Sequence, residues 1–61
     1  MNMMYRFRKN GKEYFAKGEN RFDAQLNIEL ATGKKLSGGE YAEIYKNKVI
    51  KTGIIKWKEW N

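Results

Sequence analysis

The hydrophobic pattern is densest from Asn20 to Gly33, NRFDAQLNIELATG. Phe22, Ala24, Leu26, Ile28 and Leu30 fall on every second residue, with polar residues between them, which taken alone describes a strand with one buried face. The ends describe a helix instead. Asn20 is a good N-cap, and Asp23 stands where a carboxylate meets the free N–H groups of a first turn. Gly33 is placed to stop the helix in a left-handed conformation, and Lys34 and Lys35 then set positive charge at the negative end of the dipole. Ala, Gln, Leu and Glu also favour helix over strand. At about 100° per residue, Arg21, Gln25, Glu29 and Thr32 form one narrow polar arc. Phe22, Leu26 and Leu30 form one apolar ridge, and Ala24, Ile28 and Ala31 a second. Such a helix is expected to be covered on most sides, leaving Asp23 and Asn27 in need of partners or a gap to water. We read this stretch as the one long helix around which the chain is organised.

Upstream, Met4 to Lys9 and Lys12 to Lys17 flank Asn10-Gly11. Asn-Gly between two aromatic-rich runs signals a hairpin, because a type I′ turn needs positive φ at both central positions. A two-residue loop sets the register: Lys9 opposite Lys12, Arg8 opposite Glu13, Phe7 opposite Tyr14, Arg6 opposite Phe15, Tyr5 opposite Ala16. Alternation then puts Tyr5, Phe7, Tyr14 and Ala16 on the core face, and Met4, Arg6, Arg8, Glu13, Phe15 and Lys17 on the other.

Downstream, Ser37 followed by Glu40 has capping-box spacing, and Leu36 and Tyr41 are placed for a hydrophobic staple. Tyr41, Ile44 and Tyr45 recur at helical spacing. This predicts a short second helix from about Gly38 to Lys46, ended by Asn47. A hairpin turning at Asn47-Lys48 is the alternative. Lys48 to Trp60 is β-branched and aromatic, which suits strand, with an interruption at Thr52-Gly53. The C-terminal part is expected to pair with the N-terminal hairpin.

Composition narrows the functional classes. The chain has 61 residues, no cysteine and no histidine. It is read as a single small domain (residues 1–61) that no disulfide staples, and its small core invites oligomerisation, a homodimer for instance. The missing residue types remove the usual general base, the thiol nucleophile and most transition-metal ligands. The single serine, Ser37, has no evident base beside it, and no phosphate loop is present. No enzymatic activity, cofactor or metal is expected. No apolar run approaches a membrane span, and the N-terminus lacks a signal-peptide stretch, so a cytoplasmic location is expected.

Thirteen Lys and Arg against seven Asp and Glu give a net charge of +6. A charged partner is therefore acidic: nucleic acid, an anionic membrane surface or an acidic protein surface; the alternative is a charge that serves solubility alone. The candidate nucleic-acid residues are Arg6, Arg8, Phe15 and Lys17 on the outer hairpin face, joined by Lys56 and Lys58 if the C-terminal strand lies alongside. Cations hold phosphates while exposed rings stack on unpaired bases. A basic two-stranded ribbon alternatively suits a DNA major groove. Trp60 is the candidate anchor for a protein interface, since Trp, Tyr and Arg dominate such contacts. The same lysines would also serve as ordinary guards of sheet edges.

The layout, a YRFRKNGKEYFAKG hairpin followed by FDAQLNIELATGKKL, resembles small phage and prophage accessory proteins. That resemblance implies a role inside a bacterial host cell, acting on host nucleic-acid machinery or defence proteins. It assigns no functional residue.

The expected fold is α+β: an N-terminal hairpin, one long helix, a short helix and a C-terminal strand, forming a three-stranded antiparallel sheet. A small all-β barrel, with residues 21–31 as a strand, is the alternative. The expected function is a non-enzymatic basic binding module for nucleic acid. The alternative is a phage-type inhibitor or adaptor acting on an acidic surface of a host protein.

Overall fold

The computed structural model describes residues 2–56. Five elements follow in order: β1 (Met3–Lys9), β2 (Lys12–Gly18), α1 (Arg21–Thr32), β3 (Glu40–Tyr45) and β4 (Lys48–Ile54). The fold is α+β, with one antiparallel four-stranded sheet in the order β2-β1-β3-β4. The helix packs against β1 and β2.

The N-terminal hairpin has the expected register, from Lys9 opposite Lys12 to Tyr5 opposite Ala16. Asn10 (φ 53°) and Gly11 (φ 76°) both have positive φ, as a type I′ turn demands. The helix boundaries also agree with the pattern. The Asn20 side chain accepts from Asp23 N at 2.9 Å, and the Asp23 carboxylate accepts from Glu19 N at 3.3 Å. Gly33 takes the left-handed conformation (φ 71°) and donates its N–H to Glu29 O at 2.8 Å. Residues 21–31 therefore do not form a barrel strand.

The expected three-stranded sheet and second short helix are not what forms. Residues 40–45 make a strand, and the turn lies at Lys46 (φ 50°) and Asn47 (φ 65°), one residue before the Asn47-Lys48 alternative. The cause is β1. Packed centrally, it would leave a row of N–H and C=O groups without partners along its second edge if 40–45 were helical. β3 satisfies them, with Arg6 opposite Ala42 and Phe7 opposite Tyr41. The Ser37–Glu40 spacing is thus no capping box: Ser37 is buried in the turn before β3. The C-terminal strand β4 joins β3, not the N-terminal hairpin, and forms the far edge of the sheet. Its irregularity falls opposite Glu43/Ile44, where Ile44 pairs with Val49 and Glu43 with Lys51, leaving Ile50 as the extra residue of a bulge.

Gly53 has a different role from the expected interruption. A Cβ there would come within 2.6 Å of the Tyr41 ring, so the ring lies directly on the glycine. This is the cross-strand covering of a glycine by an aromatic.

The core is small. Tyr5, Phe7, Ala24, Leu36 and Ile55 are its buried members, and the Tyr5 and Phe7 rings stack at 6.4 Å between centroids. Phe7, Leu36 and Ile55 are fully buried, each stabilising the fold by about 1.5–3 kcal/mol. Ile55 is fixed by its backbone: its N–H donates to Gly39 O at 2.8 Å, and its carbonyl accepts from Gly38 N at 2.7 Å.

Helix α1 turns one of its apolar ridges to the core and leaves the other outside. Ala24 is buried and Ile28 packs on the core, but beside them Gln25 and Glu29 are buried as well. Gln25 and Glu29 of the polar arc face inward, while Thr32 stays exposed. Arg21 Nη1 donates to Gln25 Oε1 at 2.7 Å, Gln25 Nε2 to Glu29 Oε2 at 3.2 Å, and Leu36 N to the same oxygen at 2.8 Å. The Arg21 guanidinium also sits 4.6 Å from the Tyr41 ring centroid. Phe22, Leu26 and Leu30 are left on the outside, Leu30 at 74% exposure.

Candidate nucleic-acid interface

With α1 on one side of the sheet, the opposite side lies open among the described residues. Pairing identifies what stands on it. Arg6 is opposite Phe15 and Ala42, and Arg8 is opposite Glu13 and Glu40. Met4 is opposite Lys17 and Ile44. Cross-strand partners share a face. The structure thus brings Arg6, Arg8, Phe15 and Lys17 together, as the hairpin register requires. Phe15 is 53% exposed and lies between the two basic ends of that surface.

Two carboxylates share the face. Glu13 Oε2 accepts from Arg8 Nε at 2.8 Å and lies 3.9 Å from Arg6 Nε. Such an exposed pair contributes little to stability, but it holds the arginine heads over the β1–β2 ribbon. Glu40 sits across from Arg8 on β3. By charge alone, the outer face is only weakly positive.

The remaining candidates do not join this group. Lys56 is exposed and follows β4, which β3 separates from β1, so it does not flank Arg6 and Arg8 as expected. Lys58 and Trp60 lie outside the described residues, as does Trp57. The β3–β4 half of the outer face is apolar instead, with Val49 opposite Ile44 and Ile54 opposite Glu40.

A second basic group was not anticipated as a site. Lys9, Lys12, Lys34 and Lys35 line a cleft beside the hairpin tip, with Tyr14 and Leu36. Each lysine had a local reading, as a strand end or as a dipole partner. Nothing in the local pattern says that the helix end returns to the Asn10-Gly11 turn.

Among the described residues, no three His, Cys, Asp or Glu side chains converge on a metal-sized site, and no helix is long and apolar enough to cross a membrane. Comparison of the chain with known family models, curated proteins and solved structures finds no match.

Proposed function

We propose that the protein is a non-enzymatic binding module that takes nucleic acid on the open face of its sheet. The observation that carries this reading is the grouping of Arg6, Arg8 and Lys17 around an exposed Phe15 on the face of the β1–β2 ribbon away from α1, which no helix covers among the described residues. Arginine presents a planar fork suited to phosphate and base edges. An exposed ring offers a stacking platform to an unpaired base, worth about 1–3 kcal/mol per base. The net charge of +6 raises the encounter rate with any polyanion. The resemblance to small phage accessory proteins fits a module of this kind.

The test is fluorescence anisotropy with labelled single- and double-stranded oligonucleotides, at low and near-physiological salt. Binding that survives the higher salt and is weakened by Arg6→Ala with Arg8→Ala supports the reading. Absence of binding at both salt concentrations removes it.

A second reading has its own observation. Phe22, Leu26 and Leu30 form an outward apolar ridge on α1, which suits a protein partner better than a polyanion. On that reading the module is an adaptor or inhibitor, and its positive charge steers it to an acidic protein surface.

A further inference from the structure

The open face of the sheet has two unlike halves. On β1–β2, Arg6, Arg8 and Lys17 surround Phe15. On β3–β4, Ile44 pairs with Val49 at one end and Glu40 with Ile54 at the other, and both Val49 and Ile54 are exposed. The lysines of β4 do not stand on this half. Lys48 pairs with Tyr45 and Lys51 with Glu43, and Glu43 is itself opposite the core residue Tyr5, so these positions alternate onto the side of α1. Among its paired positions, the β3–β4 half therefore carries one carboxylate, Glu40, and no cation.

A double helix does not suit this surface. Its exterior is lined with phosphates, and a phosphate laid on Ile44, Val49 or Ile54 loses water and gains no counter-charge. Nor can the β1–β2 ribbon enter a major groove by itself. β3 flanks β1 from Met4 to Arg8, so only the hairpin tip, Lys9 to Lys12, projects beyond it. The four strands span three spacings, about 14 Å of backbone at ~4.8 Å each, before any side chain is added. That already exceeds a groove of about 12 Å. Charge alone is also weak, because Arg6, Arg8 and Lys17 share the face with Glu13 and Glu40, and Glu13 holds Arg8 at 2.8 Å. An unpaired strand meets none of these obstacles. It keeps its phosphates on one line and is free to turn its bases to either side.

We infer that the face takes single-stranded nucleic acid and rejects a duplex, with the phosphates over Lys17, Arg6 and Arg8 and the bases turned onto Phe15 on one side and onto Val49 and Ile54 on the other. This rests on the nucleic-acid reading above and names its ligand class. Phe15 supplies a ring for stacking. Val49 and Ile54 supply apolar contact for the flat faces of bases. Thr52 stands exposed between them, opposite Ala42, and its hydroxyl both donates to and accepts from a base edge. The apolar half is thus a base subsite, and the basic half fixes where the backbone runs.

The experiment uses the full chain and three labelled probes: a mixed-sequence single strand, the same sequence as a duplex, and an abasic strand of equal length. Binding is followed by anisotropy against salt, and by NMR at the Val49 and Ile54 methyl groups of the isotope-labelled wild type. The variants are Val49→Thr with Ile54→Thr, both at exposed positions, and Arg6→Ala with Arg8→Ala. The single strand is expected to bind at least about tenfold more tightly than either other probe, since each base stack is worth ~1–3 kcal/mol. Base ring currents should shift both methyl signals, and the abasic strand should not. The threonine variant should weaken single-strand binding by about threefold to tenfold through lost apolar contact. It should leave the salt slope unchanged, because no charge is altered. Equal binding of the duplex or the abasic strand, or methyl signals unmoved by saturating single strand, overturns the base subsite. In that case, loss of binding in the arginine variant still leaves the nucleic-acid reading standing. Absence of binding by all three probes removes both. A wild-type dimer that the threonine variant dissociates assigns the apolar half to a second copy and overturns the base subsite.

Discussion

The side-chain amide of Gln25 donates to Oε2 of Glu29, and that same oxygen receives the backbone N–H of Leu36, on the side of α1 that faces the sheet. A helix with two apolar ridges thus buries the polar strip between Ala24 and Glu29. The strip tolerates burial because its groups are matched in series. Arg21 gives to Gln25, Gln25 gives to Glu29, and Glu29 caps the incoming loop. The loop that delivers Leu36 to the core is held by this carboxylate.

Removing that acceptor should be costly. Glu29→Ala leaves the Leu36 N–H and the Gln25 amide without a partner in a buried setting, each such loss costing about 1–3 kcal/mol. Urea unfolding of Glu29→Ala should show a fall of this order, larger than that of any single lysine substitution on the surface.

Gly53→Ala should destabilise the sheet by about 1–3 kcal/mol, because the new methyl displaces the Tyr41 ring from the position where it also meets Arg21. The double variant with Tyr41→Ala should recover part of that loss. Thermal unfolding of the single and double variants checks the coupling.

Leu26→Lys with Leu30→Lys should leave the unfolding free energy within about 0.5 kcal/mol per site of the wild type, since both side chains are exposed. A larger loss in dilute solution would mean that the ridge is covered by a second copy. Sedimentation of the wild-type protein would then show the dimer.

Stability should fall in alkali partly through Tyr5. Burial, then the neighbouring Glu43 charge, raise its phenol above the usual value. A raised folded-state value means that the stabilisation is complete below the unfolded value, near pH ~10, and is lost as pH rises toward and through the folded one. Urea unfolding across that window should show a steeper decline for the wild type than for Tyr5→Phe.

Asn20→Ala should lower stability by about 0.5–2 kcal/mol, as it removes the acceptor for Asp23 N. Loss of helical circular dichroism and an earlier urea midpoint are the readouts.

What could be read from the chain was what is decided locally. Asn10-Gly11 sets a turn type, and the turn type sets every pair from Lys9–Lys12 upward. Asn20, Asp23 and Gly33 mark the helix by groups within a few residues of one another. The failures share a different cause. Tyr41, Ile44 and Tyr45 suit a helix, while Tyr41, Glu43 and Tyr45 suit a strand, and the choice fell to the unfilled edge of β1, over thirty residues away. The inward turn of Gln25 and Glu29 on the α1 polar arc depends on Tyr41 and on the Leu36 amide, neither of which is encoded in the helix. The outer-face group of Arg6, Arg8, Phe15 and Lys17 followed from hairpin register alone. Lys56 was misplaced because its position depended on which strand β4 would join.

The strand order also sets a timetable. β1 comes first in the chain among the strands, yet it is flanked on both sides in the finished sheet, and its second neighbour is encoded about thirty residues later. The hairpin and helix can form early from nearby contacts, but the Arg6–Ala42 and Phe7–Tyr41 pairs require closing a long loop, the slow kind of step in folding. Until β3 arrives, β1 presents an unpaired hydrogen-bonding edge next to Tyr5 and Phe7. In a nascent or refolding chain, that interval is when one copy is most open to strand exchange with another, and conditions that hasten β3 docking should raise the yield of folded protein more than conditions that strengthen the hairpin.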